Sequence, residues 1–331
     1  DSYHTCALHP DGRASCWGYN NNGQLGDGTK TNSGKPVKVK DLSDVTDIQP
    51  GYYHTCALHK DGTVSCWGDN GYRQLGDGTT TDSATARKVP GLTNVTQLRA
   101  GYYHTCALDK AGKTWCWGRN SDGELGVGDS SIHNKPSEVK GLSNVTSLAI
   151  GGYGSCAVRT DHTVWCWGQN SYYRLAGGAD ITTTSDLLVP TRDARYIGVA
   201  AVALSYYAKC VRLMSGAVRC AGYNPQGQFG TGATSTATSK TDYDNAGLGG
   251  SAQLAIGYYH TVGLMSGGTA WAVGDNGYGQ LGNNTTKDEY SAVAMTHVSG
   301  LIQVAAGRYH TCGLRGDGTI WCSGYNNYGQ L

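Results

Sequence analysis

Residues 51–68 read GYYHTCALHKDGTVSCWG. Two short apolar runs, His54 to Leu58 and Val64 to Trp67, flank the turn Lys60-Asp61-Gly62, which is the pattern of a β-hairpin. The phrase recurs along the chain as YHTCAL at Tyr3, Tyr53 and Tyr103, YGSCAV at Tyr153, YAKCVR at Tyr207, YHTVGL at Tyr259 and YHTCGL at Tyr309. A turn follows each copy, then a second short strand ending CWG four times and afterwards CAG, AVG and CSG. The period is about 50 residues, which means stacked or radially arranged supersecondary units rather than one irregular globule.

Outward from the hairpin, one unit continues through a loop containing Asn70 and Gln74-Leu75-Gly76-Asp77-Gly78. A short strand near Arg87-Lys88-Val89 follows, and a last one runs over Val95 to Ala100. Four short strands bounded by Gly and Asn suit a propeller blade. The whole chain is expected to form one all-β domain of units 1–50, 51–100, 101–150, 151–203, 204–256, 257–306 and 307–331. The seventh unit lacks its later strands. Closing the ring is therefore expected to need residues outside 1–331 or a neighbour's strand, leaving a seam near Asp1 and Leu331 open to association.

Twelve cysteines allow many pairings, and hairpin geometry selects one. In the first copy His9-Pro10-Asp11-Gly12-Arg13 reads as a three-residue loop with Gly12 at the position needing positive φ. That register sets Cys6 opposite Cys16. If His9 and Arg13 form a hydrogen-bonded pair, the cysteines form a non-hydrogen-bonded pair with Cα atoms about 4.5 Å apart, within disulfide reach. The same spacing pairs Cys56 with Cys66, Cys106 with Cys116, Cys156 with Cys166, Cys210 with Cys220 and Cys312 with Cys322. The sixth unit is an internal control, because Val262 and Ala272 replace both cysteines together. Each bridge closes a short loop and contributes roughly 2–3 kcal/mol by the chain-entropy argument. A structural zinc site needs four ligands at tight spacing, which a ten-residue interval does not provide. Six disulfides imply an oxidising compartment: extracellular, cell-surface or periplasmic.

The pattern V-x-x-L-x-A-G-x-x-H-(S/T)-x-A-L-x-x-D-G-x-V-x-x-W-G-x-N-x-x-G-Q-L-G-x-G resembles the repeat of the regulator of chromosome condensation family. Residues 51–78 follow it with Arg73 in place of one Gly. The resemblance spans essentially the whole chain and implies a seven-bladed β-propeller. Units four and five drift furthest, with Gly154 and Ala208 replacing the His.

Composition removes several classes. The net charge is +1, giving no electrostatic case for nucleic acid or anionic membrane. No apolar run is long enough to span a bilayer. The sequence shows no carboxylate couple, nucleophile elbow, phosphate loop or dinucleotide fingerprint, so no enzyme activity, cofactor or metal is expected. Sequons at Asn94, Asn144, Asn283 and Asn284 would carry N-glycans in a eukaryotic secretory pathway.

Recurring polar residues read first as fold devices. Asn20, Asn70, Asn120, Asn170, Asn224, Asn276 and Asn326 each follow the strand-ending Gly by two residues and are expected to cap a turn. His4, His54, His104, His260 and His310 could form a metal or pH-sensing ring. The resemblance favours blade-to-blade hydrogen bonds instead. Trp17, Trp67, Trp117 and Trp167 occupy one position in four consecutive units and fit core packing better than a mouth.

Positions that vary between units point to function, because the fold does not dictate them. Tyr19, Arg119, Tyr223 and Tyr325 follow the strand-ending Gly, and Tyr72, Tyr172, Tyr173, Tyr278 and Tyr328 lie a few residues further on. Tyr outnumbers Phe 22 to 1, which suits aromatic surface that also meets water. A Tyr-rich ring on one face has the composition of a protein-binding surface. The leading expectation is a non-enzymatic extracellular binding or assembly propeller, a piece of a larger chain or a polymer. The family resemblance also implies a secreted inhibitor of the β-lactamase-inhibitor type, and a guanine-nucleotide exchange factor, which the disulfides oppose.

Overall fold

The structure is a computed structural model and describes residues 2–176, 184–235 and 242–331. Seven antiparallel sheets follow one another around a central channel. Blade 2 shows the plan: inner strand Val45–Pro50, second strand His54–His59, third strand Val64–Gly68 and outer strand Ser83–Lys88. Blades 3 to 6 repeat it. Each sheet thus takes its inner strand from the end of one 50-residue unit and its other strands from the next. Blade 1 has three strands, from His4–Leu8 to Ser33–Lys38, and so does blade 7, from Leu301–Ala306 to Ile320–Gly324.

The hairpin register is the one read from the turn. His9 N donates to Arg13 O at 2.8 Å, Gly12 has φ 78°, and Cys6 faces Cys16. All six expected bridges form. Cys6 joins Cys16, Cys56 joins Cys66, and Cys106 joins Cys116. Cys156 joins Cys166, Cys210 joins Cys220, and Cys312 joins Cys322. Their Cα atoms stand 4.0–4.1 Å apart, closer than the roughly 4.5 Å of an ordinary non-hydrogen-bonded pair. Val262 faces Ala272 where the bridge is missing. The four bridges of blades 2 to 5 are fully buried, whereas Cys6 and Cys322, at the two ends of the chain, are partly exposed.

Apolar clusters fill the wedges between blades. Between blades 2 and 3, Leu58, Val64, Leu75, Val95, Leu98 and Trp117 pack together out of solvent. Trp67, Trp117 and Trp167 are fully buried and Trp17 nearly so, which places the Trp series in these wedges rather than at a mouth. Burying a ring of this size gives each wedge one of its largest single contributions. Gly76 has φ 67°, and a Cβ there would stand 2.5 Å from Trp117 Nε1, so the loop needs Gly to let the indole in.

Every repeated Asn holds its loop. The Oδ1 atoms of Asn20, Asn70, Asn120, Asn170, Asn224, Asn276 and Asn326 each accept from the backbone N–H five residues on, at 2.9–3.1 Å. The His series links neighbours. His54 Nε2 lies 2.9 Å from Thr105 Oγ1, and Thr105 donates its one hydroxyl proton to Gln74 O at 3.1 Å. His54 must therefore donate through Nε2. Its Nδ1 is buried without a partner, so a second proton would find no acceptor. Burial accordingly lowers the imidazole to about 3. His4–Thr55, His104–Ser155 and His260–Thr311 repeat the arrangement.

The seam between blades 7 and 1 carries the polar bonds of the other junctions but lacks their inner strand, since His4–Leu8 is the edge of its sheet among the described residues. His310 Nε2 lies 3.2 Å from Thr5 Oγ1, and Thr5 donates to Gln330 O at 2.8 Å. Trp17 Nε1 donates to the same carbonyl at 3.1 Å, and Arg308 N donates to Ser2 O. Leu331 N, the other expected seam residue, donates to Asn326 Oδ1 within its own loop. The polar bonding of this junction thus runs within the chain, through second strands and the Gln loop, while the inner edge of blade 1 and the outer edge of blade 7 stay unpaired among the described residues, as the missing strands of unit seven lead one to expect. Asp1, part of the expected seam, lies outside the described residues.

Candidate functional site: a tyrosine collar on one face

Strand polarity gathers the tyrosines. The inner strand ends, the pair Tyr52-Tyr53 follows, and the second strand begins. The third strand runs back and ends at the same edge of the blade, so Asp69 N donates to Tyr53 O at 2.9 Å and Tyr19 N to Tyr3 O at 3.1 Å. One face of the disc therefore carries both the variable loops and the Tyr-Tyr turns.

The predicted loop residues meet there. Tyr19 packs 4.9 Å from Tyr328 and 5.6 Å from Tyr53. Tyr325 bridges Tyr328 and Tyr278. Tyr172 stacks on Tyr223 at 4.6 Å, with Tyr173 next in the same turn, and Tyr72 packs on Tyr103 at 4.7 Å. Tyr278 and Tyr72 are the most open, at 52% and 40% exposure. Arg119 is not free for a partner in the same way. Its guanidinium bonds Asp122 at 2.8 Å and Glu124 more tightly, and lies over the Tyr153 ring. The pairing is local logic: blade 2 has Asp69 and Gln74 at these positions, joined side chain to side chain, and blade 3 has Arg119 and Glu124.

Sequence reasoning missed the inner half of the surface. Tyr3, Tyr53, Tyr103, Tyr153, Tyr207, Tyr259 and Tyr309 form an inward tier, assigned from sequence to the strand phrase itself. Tyr52, Tyr102, Tyr206 and Tyr258 lie further in, at the channel mouth. Contacts run unbroken from Tyr72 through Tyr103, Tyr153, Tyr206 and Tyr258 to Tyr309, then through Tyr325 to Tyr3 and Tyr52, which returns to Tyr103. The available signal was the doubled Tyr before each His, since one strand residue buries only one of two adjacent side chains.

Arg308 replaces Tyr at this innermost position. Its guanidinium carbon lies 4.4 Å from the Tyr258 ring centre and 5.3–5.4 Å from those of Tyr3, Tyr52 and Tyr309. Nη1 donates to Tyr3 OH at 2.8 Å and to Tyr52 OH. Burial raises the phenols: Tyr52 is pushed up to about 12 against the pull of Arg308, and Tyr102 stands well above the usual range. Among the described residues the collar is therefore a hydroxyl-bearing surface of neutral phenols around one cation that has no carboxylate partner. Beneath it lies a channel of about 720 Å³, bordered by the inner strands of blades 2 to 7 (Gln49, Arg99, Ser147, Gln253 and Val304 among others) and, at the seam, by second-strand residues such as Leu8 and Leu314.

Among the described residues no group of three His, Cys, Asp or Glu is placed to hold a metal ion, and no helix is long and apolar enough to cross a membrane. The five histidines are spread one per blade in separate hydrogen bonds rather than gathered as a ligand set. Asn94 and Asn144 are exposed at positive φ, whereas the Asn283 Oδ1 accepts from Asn276 and Thr285, and Asn284 bonds His297.

These features define a cystine-stapled, seven-bladed propeller with an aromatic face. The profile described as "Regulator of chromosome condensation (RCC1) repeat" matches residues 11–58, 61–108, 111–158 and 267–314. A second profile of the same description matches 45–74, 95–124, 145–174, 252–280 and 301–330. The chain belongs to the RCC1-repeat family.

No curated protein sequence matches. Among solved structures the fold is similar to yeast RCC1 (Prp20) bound to Kap60, at 20% identity and TM-score 0.85 over 98% of this chain and 82% of that one. Human WBSCR16 is similar at 22% identity and TM-score 0.82, over 95% and 85% of the two chains. The CRINKLY WD40 ectodomain of the Arabidopsis thaliana receptor kinase ACR4 is similar at 17% identity and TM-score 0.57, over 98% and 93%. At these identities the likeness shows the fold alone.

Proposed function

We propose that this propeller is a non-enzymatic binding protein of an oxidising compartment, extracellular or at a cell surface, which holds a protein partner against its tyrosine collar. The observation that carries this reading is the continuity of the collar. Rigid, amphipathic rings cover one face at low conformational cost, and their hydroxyls offer hydrogen bonds to a polar partner. Six bridges support the compartment, because cytosolic reductants keep such cysteines as thiols. Relatives of this fold that bind proteins are compatible with it: yeast RCC1 (Prp20) has been solved with Kap60, and its binding to Gsp1p and histones has been studied. Inhibition of a secreted enzyme is one form the same activity could take. Nucleotide exchange on a GTPase would need a reducing compartment and free thiols.

The test is capture from the native source with two immobilised variants. Replacing Tyr19, Tyr278 and Tyr328 by Ala should abolish retention of the partner, while Lys60→Ala with Asp61→Ala, on the opposite face, should leave it intact. Equal retention by both variants overturns the reading. Non-reducing mass spectrometry of native protein tests the compartment, with twelve free thiols as the contrary result.

A further inference from the structure

We infer that Arg308 is the docking point for a carboxylate, the Asp or Glu side chain of a protein partner, at the centre of the collar. The inference rests on the reading of the tyrosine face as a protein-binding surface and adds the chemistry of what it takes at its axis.

Arg308 is the one break in the innermost tier that introduces charge. Tyr52, Tyr102, Tyr206 and Tyr258 hold the corresponding position in four blades, Gly152 in another and Ser2 in blade 1. Its chain of contacts crosses the mouth, from blade 7 to Tyr52 of blade 2. The four rings around it stabilise the cation through their faces, and they also strip away part of its water.

The guanidinium is only half satisfied. A planar fork has five N–H donors, and both hydrogen bonds formed here leave from Nη1. Nε is buried with no acceptor. Nη2 makes no hydrogen bond either, and it is absent from the fully enclosed atoms, so it reaches solvent. Among the described residues no carboxylate pairs with Arg308; burial works against its charge, and the surrounding Tyr102, Tyr52, Tyr3 and Tyr309 work for it. Arg119, whose guanidinium also lies over a collar ring, shows the contrast, because Asp122 and Glu124 already neutralise it.

An unneutralised, partly dehydrated guanidinium with a free edge is complementary to a carboxylate, whose two oxygens match the spacing of the fork. The surrounding aromatic surface selects a source large enough to cover it, which a protein side chain at the tip of a loop is and a free anion is not.

The experiment uses the whole chain with labelled Tyr rings and Arg side chains, observed by NMR. The probes are capped Gly-Glu-Gly, capped Gly-Gln-Gly and sodium sulfate. The Glu peptide should shift the Arg308 Nε–H and the Tyr3 and Tyr52 ring signals saturably, at a concentration about tenfold below that needed for the Gln peptide. Arg308→Gln should erase that preference in the Tyr signals. Arg308→Lys, which keeps the charge without the fork, should retain part of it and guards against a folding defect in the Gln variant.

Equal response to the two peptides, a preference surviving Arg308→Gln, or sulfate acting as well as Glu would each overturn the proposal. If the tyrosine substitutions above still release the native partner while Glu shows no preference, the carboxylate dock alone fails. If they do not release it, the protein-binding reading fails first.

Discussion

The junction of blades 2 and 3 and the junction of blades 4 and 5 do the same job with opposite chemistry. At the first, His54, Thr105 and Gln74 O form an uncharged relay, and Trp117 donates to the same carbonyl at 2.9 Å. At the second, Gly154 stands for the His, Lys209 for the Thr and Ala221 for the Trp. Arg174, in the place of Gln74, fills the room left by the His and donates to Ser205 O at 3.2 Å. The Lys209 ammonium is buried against Asp193 Oδ2 and Leu175 O, and Arg195 straddles both Asp193 oxygens, sharing Oδ2 with Lys209. Burial lowers Lys209 to about 8, with Asp193 opposing. Burial would raise Asp193, but Lys209 and Arg195 hold it below the usual carboxylate range. A neutral relay can be copied from blade to blade, whereas a buried ionic network works only with all its members.

Acid should separate the two kinds of junction most strongly. His4, His54, His104, His260 and His310 are each held near 3, far below the unfolded value of 6.5. The unfolded chain therefore takes up protons first. The stabilisation is complete above about pH 6.5 and is lost as pH falls toward 3, at about 1.4 kcal/mol per pH unit for each His and about 7 kcal/mol per unit for the five. Thermal melts from pH 7.5 to 4.5 should show a steep fall in Tm below pH 6. Hydrogen exchange at pH 5 should open the second strands of the His blades before Ala208–Leu213 of blade 5. A flat Tm over that range would show that these histidines are not buried neutral.

Asp193→Leu comes next. It strands the Lys209 ammonium in the core and should cost about 3–5 kcal/mol in urea unfolding. Adding Lys209→Thr, which restores the residue used elsewhere, should recover more than half of that loss. Additive losses in the double variant would mean that the two residues do not act as one network.

The bridge in blade 3 gives a smaller effect. Cys106→Val with Cys116→Ala copies blade 6 and should lower stability by roughly 2–3 kcal/mol, leaving the Tyr-ring spectrum unchanged. His54→Ala removes the relay donor and some packing, for about 1–3 kcal/mol, with the loss confined to blades 2 and 3 in hydrogen exchange. A global rather than local loss would show that the junctions are not independent.

The repeat made the architecture readable, because each device sits at a fixed offset. The hairpin around Gly12 set the register of Cys6 and Cys16, and the joint replacement of both cysteines by Val262 and Ala272 supported the pairing from within the chain. What escaped was whatever depends on contacts between units. Thr5 bonding Gln330 spans nearly the whole chain, and nothing local to either residue announces it. Arg308 meets Tyr52 for the same reason, from the opposite end of the sequence. In blade 4, the exchange of His for Gly154 was visible, but its compensation by Arg174 and Lys209 was not, since the residues concerned are 20 and 55 positions away. The variable loop tyrosines were singled out because variation marked them. Their inner neighbours were passed over because repetition looked like structure.

The collar also has an optical consequence. Its tyrosine rings lie about 4–6.5 Å from their neighbours in an unbroken circuit, close enough for excited states to couple. Light absorbed by any one phenol will wander among the others, and on to buried indoles such as Trp67 just behind the face, before it is emitted, so the emission excited through the face should be strongly depolarised. A single quencher arriving at any point of the circuit will then darken rings it does not touch, which makes the intact, unlabelled face its own antenna for whatever lands on it.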